Sequence, residues 1–271
     1  MKKLIFAISL IWLASCVRLP LLTNMEMVRV PAGPFFMGFD TSDESEKWGD
    51  RDEEPVHEVY LSAYWIDLNE VTAKDFSRFL NKHKKDAQHF LEVGDAVTIE
   101  IVRGNYQPRL GLDRYPANRV SWYGADAYCK SLGKRLPTEA EWEKAARGGD
   151  ERTFPWGNEH PRSGRATFRR KFPELGFRVM EPVDALPAGR SPYGLYHMAG
   201  NIWEWTNDWY DPDYYGHSPA KDPQGPEDGE TKVLRGGNWY YKAYYMRTTY
   251  RFNDRPATFK VWQGVRCAAT S

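Results

Sequence analysis

The residues of this chain that could do chemistry are few in kind. Three cysteines and six histidines could supply a nucleophile or a metal site. The histidines are scattered, and no two stand at i, i+4, the spacing that puts two ligands on one helix face. Lys2 and Lys3, the apolar run from Leu4 to Leu13 and the small residues after it mark an export signal. An exported chain meets oxidising conditions, so Cys129 and Cys267 read as a disulfide rather than as reactive thiols. The chain-entropy value of so long a closed loop is roughly 5 kcal/mol as an upper figure. What remains is recognition. From Trp239 to Trp262, nine residues are aromatic, more than twice the 15% of the whole chain. Doublets such as Tyr240-Tyr241 and Tyr244-Tyr245 would point to both faces of a strand, so some rings must face outward or line a groove. Tyrosine suits that role, with a large stiff ring, a hydroxyl at its tip and little entropy to lose.

The elements around these residues read as one domain. The chain has 271 residues, and its 37 basic residues balance 37 acidic ones. A broad basic field for nucleic acid is therefore not expected. Beyond the amino terminus no apolar run is long enough to cross a membrane. Residues 1–15 are assigned to a signal peptide, 16–25 to a tether and 26–271 to an α+β domain. Met27-Val28-Arg29-Val30, Phe35-Phe36-Met37 and the stretch from Val56 to Ile66 read as strands. The acidic stretch from Asp40 to Glu54 reads as a solvated loop. Thr72 to His83 has the apolar spacing of a helix, and residues 84–117 read as an insertion with one strand from Val97 to Ile101. Trp122, Ala125, Cys129 and Leu132 share one helix face, which places Cys129 inside. Thr138 and Glu141 form a capping box at the head of the next helix. Residues 150–232 read as long packed loops, since they hold too many aromatic residues for disorder.

Several segments resemble one family. Leu13-Ala14-Ser15-Cys16 is similar to the bacterial lipobox, which implies cleavage before Cys16, a lipid on its thiol and, with Val17 next, the outer membrane or cell surface. Val30-Pro-Ala-Gly-Pro-Phe-Phe-Met-Gly38, Asn69-Glu-Val-Thr72, Pro116-Ala-Asn-Arg-Val-Ser-Trp122 and Gly133-Lys-Arg-Leu-Pro-Thr-Glu-Ala-Glu-Trp142 come first. Phe154-Pro-Trp-Gly-Asn158, Tyr193-Gly-Leu-Tyr-His-Met-Ala-Gly-Asn-Ile-Trp-Glu-Trp205, Leu234-Arg-Gly-Gly237 and Gly264-Val-Arg-Cys267 follow. Together they resemble the formylglycine-generating-enzyme-like, or sulfatase-modifying factor, family. The resemblance implies an elaborated C-type-lectin fold: a small twisted antiparallel sheet, two main helices and long packed loops. It also implies the Cys129–Cys267 pairing. The family's oxidases hold copper with two cysteines shortly after Arg-Gly-Gly. Here that segment offers Tyr240, Tyr241, Tyr244, Tyr245 and Met246, so no enzyme and no redox cofactor are expected. The family's calcium site maps to His197, Gly200, Ile202 and Glu204. His197 stands where the family has an asparagine, and calcium prefers oxygen. Without calcium, nearby loop amides would satisfy Glu204. A second calcium site is expected to be lost, because Leu175 replaces its acid.

The terminal segment also resembles the variable patch in members of this fold that diversity-generating retroelements rewrite at adenine-containing codons. An AAC codon so rewritten reaches Tyr, Phe, Asn, Asp, Arg, Thr and Val but not Trp, Lys, Met or Gln. Tyr240, Tyr241, Tyr244, Tyr245, Tyr250, Phe252, Asn253, Asp254, Arg255, Thr258, Phe259 and Val261 fall in the allowed set. Trp239, Lys242, Met246, Lys260, Trp262 and Gln263 would be fixed. The expected function is a surface lipoprotein, anchored in the membrane by lipid, whose patch at about 238–263 binds protein or other ligands without chemistry. A diverged oxidase and a structural envelope lipoprotein are the alternatives. The variable rings are expected to project mainly to solvent.

Overall fold

Residues 26–40 and 49–271 are described by the computed structural model. The expected signal peptide and tether, with Cys16, lie outside them. Strand β1 (Met27–Val30) turns at Pro31-Ala32 into β2 (Gly33–Met37). The stretch expected as one strand is two, β3 (His57–Leu61) and β4 (Tyr64–Asp67), broken at Ser62-Ala63. The break lets the second pair separate from the first: β2 lies antiparallel to β3, while β1 lies antiparallel to β4.

Helix α1 (Ala73–Lys82) begins at Thr72, whose hydroxyl accepts the Asp75 N–H at 3.1 Å. Phe76, Phe79 and Leu80 form its buried face. Short helix α2 (Ala87–Phe90) and the hairpin β5 (Ile99–Val102) and β6 (Asn105–Pro108) make up the expected insertion. Arg103 and Gly104 turn this hairpin with φ of 51° and 75°, the pair of left-handed residues that a two-residue hairpin needs. Strand β6 was not foreseen, because Asn-Tyr-Gln-Pro lacks strand-forming apolar residues.

Helix α3 (Trp122–Ser131) is capped by Ser121 and carries Cys129 inside. It packs so closely on α2 that a Cβ on Gly124 would lie 2.3 Å from the Phe90 carbonyl oxygen. Helix α4 (Glu139–Arg147) has its capping box, and all nine of its residues are buried, five of them charged. The region that follows holds the four-residue helix α5 (Phe172–Leu175), short turns and long loops. Then come β7 (Trp203–Trp209), β8 (Lys232–Arg235), β9 (Phe252–Asp254), β10 (Gln263–Gly264) and β11 (Ala268–Thr270).

The sheet is small but divided. Strand β11 joins β4, giving an antiparallel sheet β1-β4-β11 that brings the two ends of the domain together. The second sheet runs β10-β7-β8-β9, antiparallel except that β10 and β7 are parallel. Trp203 and Trp205 of β7 are fully buried between that sheet and α1 and α3. A disulfide between Cys129 and Cys267 ties α3 to the residue preceding β11, with Cα atoms 5.6 Å apart.

Candidate binding surface

The surface begins where β8 ends. Gly236 and Gly237 take φ of 96° and 77°, and a Cβ on Gly237 would sit 2.7 Å from the Tyr245 carbonyl oxygen. Only glycine lets the outgoing and returning chains approach this closely. The Asn238 amide oxygen then accepts the N–H groups of Tyr240 and Tyr241 at 2.8 and 3.0 Å, which turns the chain outward. Trp239 is buried, and its backbone N–H donates to the Asn201 carbonyl at 2.9 Å.

From this anchor a ladder of rings runs across the molecule. Tyr240 lies on Trp262 with centroids 5.9 Å apart and planes 11° from parallel. Tyr240 meets Tyr241 at 5.6 Å, Tyr241 meets Tyr245 at 4.9 Å, and Tyr245 meets Tyr250 at 5.1 Å. Tyr244 closes on Tyr245 and Tyr250 at 5.4 and 5.7 Å. Phe252, on β9, stacks on Trp203 at 5.0 Å and 14°.

The solvent-projecting patch expected above is corrected here. Only Tyr240, half exposed, and Arg255 are open. Tyr241, Tyr244, Tyr245, Tyr250, Phe252, Asn253, Asp254, Thr258, Phe259 and Val261 are half-buried. None is core, yet half of them lean on core. Tyr241, Tyr245, Tyr250 and Phe252 pack against the cluster around Trp203, because rings this dense must cover one another as well as the sheet edge. Gln263, fully buried, holds the loop from Asp254 to Val261. Its amide donates to Asp254 Oδ2 at 3.0 Å, and its oxygen accepts the Lys260 N–H at 2.9 Å.

Beneath the ladder lies a set of buried ion pairs. Arg235 donates to Glu139 and Glu143, and also to the carbonyls of Thr248, Thr249 and Tyr250, so it shapes the returning chain directly. Arg251 grips both oxygens of Glu139 at 2.8 and 3.0 Å. Burial pushes the Glu139 carboxyl up, but Arg251 and Arg235 outweigh it and hold it below the usual range. Arg247 grips Glu53 at 2.6 Å on each oxygen. The end of the acidic stretch is therefore a docked segment, not a solvated loop. Asp50 accepts the Tyr244 hydroxyl at 2.7 Å and Asp52 accepts that of Tyr210 at 2.8 Å. Asp50, Asp52 and Glu53 bring oxygens close enough for a cation, but each is already bonded to these side chains. The sequence reading missed this network. Its signal was available: helix α4 has five charges in nine residues, set around a tryptophan, and Arg235, Arg247 and Arg251 recur in the terminal segment.

The chain matches the sulfatase-modifying factor enzyme 1-like domain over residues 15–271. It belongs to that family. It is 37% identical to a formylglycine-generating enzyme of Thermomonospora curvata, over 90% of this chain and 93% of that protein. It is also 37% identical to the serine/threonine-protein kinase pkn1 of Chlamydia caviae over 92% of this chain, where it spans 38% of the kinase's length. Among solved structures, PvdO from Pseudomonas aeruginosa is similar with a TM-score of 0.71 and 28% identity, over 90% of this chain and 94% of that one. Treponema denticola variable protein 1 shares the fold with a TM-score of 0.66 and 24% identity, over 90% and 95%. The sulfatase-modifying factor fold and the variable-protein fold are thus one architecture, α+β with small sheets.

The metals that the family implies do not fit these residues. In place of loop amides, Glu204 is bonded by Arg266 at 2.8 and 2.6 Å and by the Trp142 indole at 2.7 Å, all three groups fully buried. Its charge is already matched by a guanidinium. His197 offers a nitrogen, which is hydrogen-bonded to the Pro182 carbonyl at 3.0 Å, and burial keeps that imidazole neutral with its pKa pushed down to about 4. Gly200 N–H donates to the Gly236 carbonyl at 2.7 Å, and Ile202 is core. Two of the four positions thus fit calcium poorly, Glu204 because Arg266 and Trp142 hold its oxygens and His197 because it offers nitrogen. Copper fares no better. Both cysteines of the domain form the disulfide, and after Gly237 the chain supplies phenols and the buried thioether of Met246. Neither replaces a thiolate pair as a copper ligand.

Proposed function

We propose that this sulfatase-modifying factor homologue is a non-catalytic binding module, displayed on the cell surface through lipid on Cys16, that recognises a protein ligand with its terminal aromatic ladder. The observation that carries the reading is the ladder itself: contiguous rings, half-buried with Tyr240 open at the tip, set where the family's oxidases need cysteines. Support comes also from polar groups left over in the same segment. Among the described residues, the indole N–H groups of Trp239 and Trp262 and the side-chain amide nitrogen of Asn238 are buried without an acceptor, and a buried donor without an acceptor costs free energy until one arrives. Tyr, Trp and Arg are the residue types that dominate binding hot spots. The rigid cradle of Gly236-Gly237, Trp239, Gln263 and the arginine pairs fixes the backbone beneath the rings, so an open side chain such as Tyr240 can change at little cost to the fold.

We further propose that a retroelement diversifies the patch. Gene sequences from separate isolates test this. Substitutions should concentrate at Tyr240, Tyr241, Tyr244, Tyr245, Tyr250, Phe252, Asn253, Asp254, Arg255, Thr258, Phe259 and Val261, while Trp239, Lys242, Met246, Lys260, Trp262 and Gln263 stay fixed. Invariance at the first set would sink diversification. The identity to formylglycine-generating enzymes favours a second reading, a diverged oxidase. Purified protein should hold no stoichiometric copper and should not oxidise cysteine peptides; copper with turnover would establish the enzyme.

A further inference from the structure

A cleft of about 610 Å³ opens beside the ladder, between the loop from His160 to Arg169 and the segment from Lys242 to Tyr244. Phe168 and Ala243 give it apolar walls, and Arg169, Lys242, His160 and the ring of Tyr244 line the rest. Among the described residues no carboxylate lines it. The neighbouring cations are matched: Arg152 pairs with Asp150, Arg162 and Arg165 share Glu159, and Arg170 pairs with Glu181. Arg169 is the remaining arginine of that stretch. Among the described residues neither it nor Lys242 has a carboxylate partner, and both are exposed.

Arg169 is nevertheless held in place. Its N–H donates to the Tyr241 carbonyl at 3.0 Å, and that of Arg170 to the Trp239 carbonyl at 2.8 Å, so the loop is laced to the ladder. Arg169 takes a φ of 52°, a left-handed conformation that a residue with a Cβ adopts only where its surroundings impose it. An arginine and a lysine, unpaired, flank an apolar-walled cleft that shares Tyr244 with the ladder.

We propose that this cleft receives a carboxylate side chain from an acidic segment of the protein ligand. The inference rests on the binding reading above and names the chemistry of that ligand. The guanidinium fork suits a carboxylate, the ammonium adds a second charge, and the rings of Phe168 and Tyr244 cover the methylenes that lead to it. Two cations in a chain of zero net charge are too few for a polyanion such as nucleic acid.

Titration calorimetry on the full chain in detergent tests the proposal with three probes: a blocked hexaglutamate peptide, a blocked hexaglutamine peptide and inorganic sulfate. Hexaglutamate should bind at least tenfold more tightly than hexaglutamine. Arg169→Gln combined with Lys242→Gln should weaken it at least tenfold, and Lys242→Glu should weaken it further. Salt raised to about 0.5 M should also weaken it, because exposed charges are screened over a few ångströms there. Both substitutions are on exposed side chains, and an unchanged melting temperature checks that the fold is intact. Equal binding of the two peptides overturns the proposal, as does unchanged affinity in the double variant. Binding of sulfate without binding of hexaglutamate overturns it too, since the cleft would then hold free anions only. Failure of the binding-module reading shows separately, as copper held with turnover of cysteine peptides, and leaves the peptide result standing.

Discussion

Asp208 is a buried carboxyl whose Oδ2 accepts the Glu139 N–H at 2.8 Å at the head of α4. Burial first, and then the charge of Glu139, push its pKa up to about 8. In the unfolded chain the same group loses its proton near pH 4. Between those values the native state holds a proton that the unfolded state has released. The contribution to stability is therefore fully present below about pH 4 and is lost as pH rises through 8. That one group can impose a slope of up to about 1.4 kcal/mol per pH unit. Asp208→Asn keeps the acceptor for the Glu139 N–H and removes the titration. The variant should lose less melting temperature than the parent between pH 5 and pH 8, by scanning calorimetry. An undiminished slope in Asp208→Asn would place the effect elsewhere.

At the scale of elements, the ladder divides into a tip and a base. Tyr240 is the tip, half exposed on Trp262, and its truncation to Ala should cost less than about 1 kcal/mol, as surface changes do. Phe252 is the base, stacked on fully buried Trp203 within β9, and Phe252→Ala should cost about 2–4 kcal/mol through the cavity it leaves. Urea unfolding midpoints at constant slope compare the two. Equal costs would mean that the rings do not separate into display and support. The same division explains what the sequence could tell. Helices α1, α3 and α4 were legible because apolar spacing and capping residues act locally. The aromatic segment was legible as unusual, since its doublets fit neither helix nor strand. The half-burial of its rings was not, because it depends on Trp203, contributed by a strand more than thirty residues earlier. The buried pairs of Arg235, Arg247 and Arg251 were likewise illegible, since a charged residue reads as solvated until its partner is known. Glu53 and Arg247 stand 194 residues apart.

For the molecule as a whole, the long-range tie is the disulfide. Cys129 lies on α3 and Cys267 one residue before β11, with 138 residues of separation, so the bond holds the helix layer against the strand that closes the domain. Both cysteines are fully buried within the cluster of Trp203, Trp205 and Leu234. Backbone bonds support the same junction: the Lys134 N–H donates to the Cys129 carbonyl, and Arg135 and Ala268 exchange two bonds of 2.9 and 2.7 Å. These bonds keep the junction formed once the chain has folded, and the disulfide acts mainly by limiting the unfolded chain. Loop-closure entropy gives roughly 5 kcal/mol at most, and native disulfides usually contribute about 2–5 kcal/mol. Replacing both cysteines by Ala should thus lower the melting temperature by roughly 4–20 °C, at about 2–4 °C per kcal/mol for a domain of this size, while leaving the native circular-dichroism spectrum in place. Mass spectrometry of a non-reduced digest should return one linked pair of peptides around Cys129 and Cys267. Two free thiols in the folded protein, or a double-Ala variant that melts with the parent, would show that the backbone junction alone carries the closure of the domain.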